Sequence, residues 1–315
     1  MKRHISPSQM WMYASCSLRY YFNYILGLKM PGNLNFATGT TVHEVAKELV
    51  AMPKDNIDRE QLQDTFTIAW NKEVKRAYLT EKDDVDVTRE LCTSITDKFI
   101  GGYESGEFPY TPVNYLPIGA DKQEPALEAG FELPAMNVLD DFKPIGLEGM
   151  ELYFACSLDI VGTDPDDKLS IIDYKTSKMP YKKSKIMKEP QLPFYDMIFR
   201  IASKLGMFPD LLKTKVDSIA YGVILKSKKA IKGDWSDFFQ VWSREITDDE
   251  LAFFYHNMEE LVTGMFTGPY HACPGFQCDT MCAHRPVCDA YMKGESPEEA
   301  YNNFMFNWEQ SKSSS

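Results

Sequence analysis

Apolar and polar positions change period several times along the chain, and each change marks an element. From Ser6 onward, Trp11, Ala14, Leu18, Tyr21/Phe22 and Ile25 recur at helical spacing, which predicts one amphipathic helix with a single buried stripe. Ser6-Pro7-Ser8-Gln9 supplies its start: Ser at the N-cap, Pro at the first helical position, Gln three residues after the cap. On a continuous helix Cys16 falls almost opposite the stripe, which leaves its thiol available for something other than packing. A second helix is expected from Phe36 to Met52, entered through Thr38-Gly39-Thr40-Thr41. Its apolar face is Val42, Val45/Ala46, Leu49 and Val50, with His43 and Glu44 in its first turns. Residues from about 54 to 108 repeat the helical period in Leu62, Phe66, Ala69/Trp70 and Val74, then in Val87, Leu91, Ile95 and Phe99. They read as a helical insertion in which Cys92 packs.

Beyond a proline- and aromatic-rich connection at Pro109–Pro117 the period falls to two. Ala126 to Leu133 is a strand in which Glu128 reads as solvent-facing, with a role as an accessory acid the other reading. Leu152 to Val161 and Leu169 to Tyr174 are β-prone runs flanking Thr163-Asp164-Pro165-Asp166-Asp167, a β-hairpin pattern; Cys156 lies mid-strand and is expected in the core. Glu189-Pro190-Gln191-Leu192-Pro193-Phe194-Tyr195 opens a helix to about Leu205 and puts Gln191 and Tyr195 on one face. Val216 to Lys226 alternates as a strand, Phe239 to Ile246 is its antiparallel partner, and Thr247 to Glu250 forms a capping box. The helix that follows carries Leu251, Phe254, Met258, Leu261/Val262 and Met265 on one face. Strands interleaved with helices make this an α/β chain, with one domain over residues 1–292 and a polar, partly disordered tail over 293–315.

Composition narrows the picture in three ways. The 315 residues are 44% hydrophobic and 13% aromatic, enough for a sizeable globular core. No apolar run approaches the ~20 residues of a membrane span, and the basic start lacks the apolar core of a secretory signal, so no membrane is expected. A net charge of −12 speaks against nonspecific coating of nucleic acid but leaves room for a local basic track. Lys178, Lys182, Lys183 and Lys185 offer one, either as a solvated loop or as a phosphate-contacting one. Seven cysteines, an odd number, with four crowded into Cys273–Cys288, suit a reducing cytoplasmic setting and a metal or cluster site better than a disulfide scaffold.

The hairpin carries the chemistry. With its turn near Pro165, Asp159 falls opposite or diagonal to Asp173, within reach of sharing a divalent cation, and Lys175 points to the same face as Asp173. Two acids and a lysine on one sheet face suit phosphodiester hydrolysis, the acids holding Mg²⁺ or Mn²⁺ and the ammonium orienting water or neutralising charge. Asp-x-Lys by itself is common. Here Ile171 and Ile172 lead straight into Asp173, and Leu158 and Ile160 bracket Asp159, so both acids lie in apolar strands where they need partners. The cysteines suit tetrahedral Zn²⁺ or an iron–sulfur cluster. Two ligand sets are open: Cys273, Cys278, Cys282 and Cys288 as a local module, or three of these with Cys16, stapling the two ends of the chain.

In this order the motifs resemble the PD-(D/E)XK nucleases of the RecB/AddB type, including those of CRISPR adaptation and phage-borne relatives. The residues carrying the resemblance are Ser6-Pro-Ser8 with Cys16, Gly39-Thr-Thr-Val-His43-Glu44, Asp159, Asp173-Tyr174-Lys175, Gln191-Leu-Pro-Phe-Tyr195 and Cys278/Cys282/Cys288. The resemblance implies a restriction-endonuclease-like core, a mixed central sheet flanked by helices, with the helical insertion and a C-terminal cysteine cluster added. It implies a metal-dependent deoxyribonuclease in which Asp159, Asp173, the Tyr174 carbonyl and His43 hold Mg²⁺ or Mn²⁺. Lys175 would act on the attacking water, and Gln191 and Tyr195 would shape the site and contact DNA. It further implies an exonuclease on single strands or DNA ends in recombination or repair, with a partner protein, and a structural [4Fe–4S] cluster on Cys16 and the C-terminal trio. The trio here is spaced Cys278-x3-Cys282-x5-Cys288, one residue longer than the usual first gap, and Cys273 is surplus; structural Zn²⁺ is the alternative occupant. The competing readings of the whole are a noncatalytic DNA-binding partner subunit and an endonuclease on the same fold.

Overall fold

The computed structural model describes residues 2–313 other than 148, 188, 212, 276–277 and 279–281. Its centre is an eight-stranded mixed sheet, built on β1 (Lys2–Ile5), β2 (Leu127–Pro134), β3 (Met150–Thr163), β4 (Leu169–Ser177), β5 (Ser218–Leu225) and β6 (Phe239–Arg244). The main path runs β1–β3–β4–β5–β6. β1 lies parallel to the first half of β3, from Lys2 against Glu151 to Ile5 against Phe154, while β4 lies antiparallel to its last residues, from Leu169 against Thr163 to Ile172 against Ile160. β4 and β5 are parallel and β6 closes the path antiparallel to β5. β2 pairs along the opposite edge of β3.

Helices cover both faces, because alternate strand residues need apolar partners on each side. On one face Phe154, Leu158, Ile171 and Tyr221 pack with Leu192, Phe194 and Ile198 of α5 and with Leu251, Met258 and Val262 of α6. On the other, Ile160, Ile172, Tyr174 and Ile224 pack with helices α2, α3 and α4. In chain order these helices are α1 (Pro7–Ser15), α2 (Leu34–Ala51), α3 (Arg59–Arg76), α4 (Val85–Glu104), α5 (Gln191–Lys204), α6 (Asp248–Thr267), α7 (Arg285–Met292) and α8 (Pro297–Ser313). The expected capping boxes at Ser6/Gln9 and Thr247/Glu250 both form.

Two expectations are corrected. The first helix is not continuous: Cys16 is extended (φ −165°, ψ 104°), ending α1 and preceding a short helix Ser17–Tyr20. Two of the stripe residues, Trp11 and Ile25, are exposed while Leu18 and Phe22 are buried, and Cys16 at the break is half-buried. Within the polar segment expected as a partly disordered tail, residues Pro297–Ser313 form α8; Pro297, Glu298 and Glu299 open it in the way a helix start favours. No described helix is long and apolar enough to cross a membrane.

Candidate active site

β3 and β4 part company just after the Ile160–Ile172 pair, and the site is built where they separate. Asp159 is the next residue on β3 and Asp173 the next on β4. The backbone N–H of Tyr174 donates instead to Asp159 Oδ2, at 2.7 Å. Asp173 is buried, 2% exposed; Tyr195 Oη donates to its Oδ1 at 2.8 Å, and Lys175 Nζ is ion-paired with its Oδ2. Gln191, one helical turn before Tyr195, donates its amide to the Tyr195 hydroxyl. The helix pair expected to contact DNA thus points inward: Tyr195 is buried and holds one oxygen of Asp173 in place.

His43 reaches the same point from α2. Its Nδ1 lies 3.6 Å from Asp159 Oδ2 and 3.8 Å from Glu128 Oε1, and its ring meets Tyr174 edge-on at 5.9 Å. α2 can approach closely because residue 39 is glycine: a Cβ there would stand 3.2 Å from Thr176 Oγ1 on β4. Glu128 is the residue that sequence reasoning undervalued. It is a non-glycine residue with φ +47°, between the paired Leu127 and Ala129 of β2. That left-handed backbone breaks the alternation of the strand and brings the carboxylate to His43 and to the Ser157 hydroxyl, which donates to Oε2 at 3.2 Å. No feature of the local sequence signals it. His43, Glu128 and Asp159 each offer a ligand atom, all within 4.8 Å of one another.

The electrostatics follow from burying several acids together. Burial, and then the neighbouring Asp173 charge, push the Asp159 carboxyl up to about 7. His43 is raised above its usual value: burial opposes its charge, but the nearby Glu128 carboxylate and the fields of Asp159 and Asp173 outweigh that. His43 beside it in turn lowers Glu128. Burial also opposes the Lys175 charge, yet Asp173 beside it holds the ammonium above its ordinary value. Lys175 is therefore a cation throughout the neutral range.

A groove with a cavity volume of about 1200 Å³ leads to this point and is lined at its inner end by His43, Glu128 and Lys175. Lys178, Lys182 and Lys183 are exposed but do not line it; the side chain of Lys185 lies outside the described residues. The stretch expected as a loop contains a short helix, Lys183–Ile186.

Cys278 and Cys282 form part of the groove wall. Cys16 and Cys288 pack on a small core of Leu18, Phe22, Leu28 and Val287 that joins the two ends of the chain. His271 and Ser17 exchange hydrogen bonds across the same junction. Burial first, and then the charges of the other cysteines among Cys16, Cys278, Cys282 and Cys288, raise the thiols of Cys282 and Cys288. Cys273 is exposed.

No curated protein matches the chain. Among solved structures the chain is similar to an exonuclease candidate from Eubacterium rectale, with a TM-score of 0.44 and 11% identity over 88% of this chain and 93% of that one; at that level nothing about activity carries over. The sequence model of the PD-(D/E)XK nuclease superfamily matches residues 4–289, from β1 through α7, and so includes every element that brings a side chain to the parted strands. By that match the chain belongs to the PD-(D/E)XK nuclease superfamily, and its chemistry is hydrolysis of phosphodiester bonds in DNA.

Proposed function

We propose that the protein is a Mg²⁺- or Mn²⁺-dependent exonuclease acting on single-stranded DNA or DNA ends, working with a partner protein in recombination or repair. The observation that carries the reading is the convergence of Asp159, Glu128 and His43 around one point, next to Asp173 and its ion-paired, permanently charged Lys175. Carboxylate oxygens with a single imidazole are a hard donor set, suited to these cations rather than to a thiophilic metal. The high pKa of Asp159 has the same meaning, since a buried acid cluster with too little positive charge is stabilised by a cation. Asp159, Asp173, His43 and the Tyr174 carbonyl would hold the ion, with Glu128 as an additional ligand or as the group that orients His43. When bound, such a cation polarises phosphate and lowers the pKa of nearby water.

The roles of the chain's own groups follow from their contacts. Tyr195, backed by Gln191, fixes Asp173 Oδ1. Lys175 faces the groove as an ammonium; it orients water and neutralises developing charge, and it is not a base at neutral pH. Lys178, Lys182, Lys183 and Lys185 would meet phosphates outside the groove. Cys282 and Cys288 lie close enough to Cys16 and Cys278 to feel their charges, which fits a thiolate-binding cofactor, and a [4Fe–4S] cluster on Cys16, Cys278, Cys282 and Cys288 is the reading we favour over Zn²⁺.

The test is purified protein with Mn²⁺ and end-labelled linear or closed circular single-stranded DNA. Linear DNA should shorten, circular DNA should survive, and Asp173→Asn and Lys175→Ala should abolish the shortening. Cutting of the circle would mark an endonuclease. Binding without any cleavage would favour the noncatalytic subunit.

A further inference from the structure

The groove is walled by aromatic side chains that the chemistry at its inner end does not use. Phe36, Tyr78 and Phe304 all line it. Phe36 is 65% and Tyr78 39% exposed, and the Tyr78 and Phe304 rings meet with centroids 5.4 Å apart. Single exposed rings are ordinary on a protein surface. Three along one groove that also takes in His43, Glu128 and Lys175 mark a binding surface.

Phe36 and His43 lie seven residues apart on α2, two turns along one helix face and about 10 Å of axial rise. A strand with a phosphate at His43 therefore passes Phe36 roughly three nucleotides away, taking ~3.4 Å per stacked nucleotide. The Phe36 ring is seated on bare backbone, since a Cβ on Gly32 would stand 3.2 Å from its Cδ1. Arg19, Lys47 and Lys226 line the same groove, giving a chain of net charge −12 a track where phosphates are accepted. Phe36 and Tyr78 lie within the residues 4–289 matched by the superfamily, and Phe304 joins them from α8, beyond that match.

We propose that Phe36, Tyr78 and Phe304 form a base-stacking platform that commits the groove to single-stranded DNA, a specificity that rests on the nuclease reading above. Unpaired bases offer their faces to aromatic side chains, whereas duplex bases are already stacked on each other.

Fluorescence anisotropy in EDTA, with a labelled 20-nucleotide single strand and the same sequence as a duplex, tests this without cleavage. Phe36→Ala and Phe304→Ala should each weaken single-strand binding by roughly 5- to 100-fold and leave duplex binding unchanged. Phe306→Ala, on α8 but outside the groove lining, should bind as the unmodified protein does. Equal losses for single strand and duplex, or none for either, overturn the platform while Mn²⁺-dependent cleavage stands. Absence of cleavage on every DNA tested overturns the nuclease reading beneath it.

Discussion

Replacing Asp159 by Asn should make the cation-free protein more stable at pH 8 while removing its response to cations. Asp159 sits between buried Leu158 and Ile160 with its carboxyl raised to about 7, against roughly 4 in an unfolded chain. The folded state thus holds this proton more tightly than the unfolded state does. Stability contributed by the neutral acid is complete below pH 4 and is lost as the pH rises to 7, by up to about 4 kcal/mol at ~1.36 kcal/mol per pH unit. The Asn variant escapes that loss, its amide oxygen still accepts the Tyr174 N–H, and His43 keeps Glu128 as partner. A net gain on the order of 2–4 kcal/mol in a chain of 315 residues raises the Tm by roughly 3–6 °C. Thermal unfolding at pH 4, 6 and 8 in cation-free buffer measures it, and the gap should close toward pH 4. Added Mn²⁺ at ~100 Kd should then stabilise the unmodified protein by about 2.7 kcal/mol and the variant far less. A variant less stable at pH 8, or a gap that does not depend on pH, refutes the account of Asp159.

Two further outcomes bear on the surroundings of the acids and on the cysteines. Tyr195→Phe removes the hydrogen bond to Asp173 Oδ1, worth about 1.5–3 kcal/mol for a charged acceptor; kcat should fall about tenfold or more and the Mn²⁺ Kd should rise, with far-ultraviolet circular dichroism unchanged. Cys16→Ser should lose bound iron and the absorbance near 400 nm, whereas Cys273→Ser should keep both; the reverse result would move the cofactor to the local cysteine set.

The sequence made the hairpin legible because everything it needs is local. A turn-rich stretch between two β-prone runs fixes the pairing, alternation puts Lys175 on the side of Asp173, and apolar neighbours mark both acids as buried. The second helix and the insertion were legible through their period, to within a residue or two at the ends of α2. Glu128 was not, because its placement depends on one left-handed residue, and the residues around it give no sign of a kink. The break at Cys16 was hidden for a related reason: apolar spacing on either side stays in phase while the backbone between is extended. The groove was invisible, since Phe36, Tyr78 and Phe304 are far apart in the chain and meet only through tertiary packing.

The φ of +47° at Glu128 has an evolutionary consequence. A side-chain-bearing residue in that conformation costs on the order of 1 kcal/mol relative to glycine, and the charge at Asp159 adds its own penalty. The fold therefore surrenders stability at the very positions where it gathers charge. Selection for heat resistance alone, with cleavage no longer required, would erase these positions early, favouring Gly at 128 and Asn at 159, and the order in which they disappeared would map the site without a substrate.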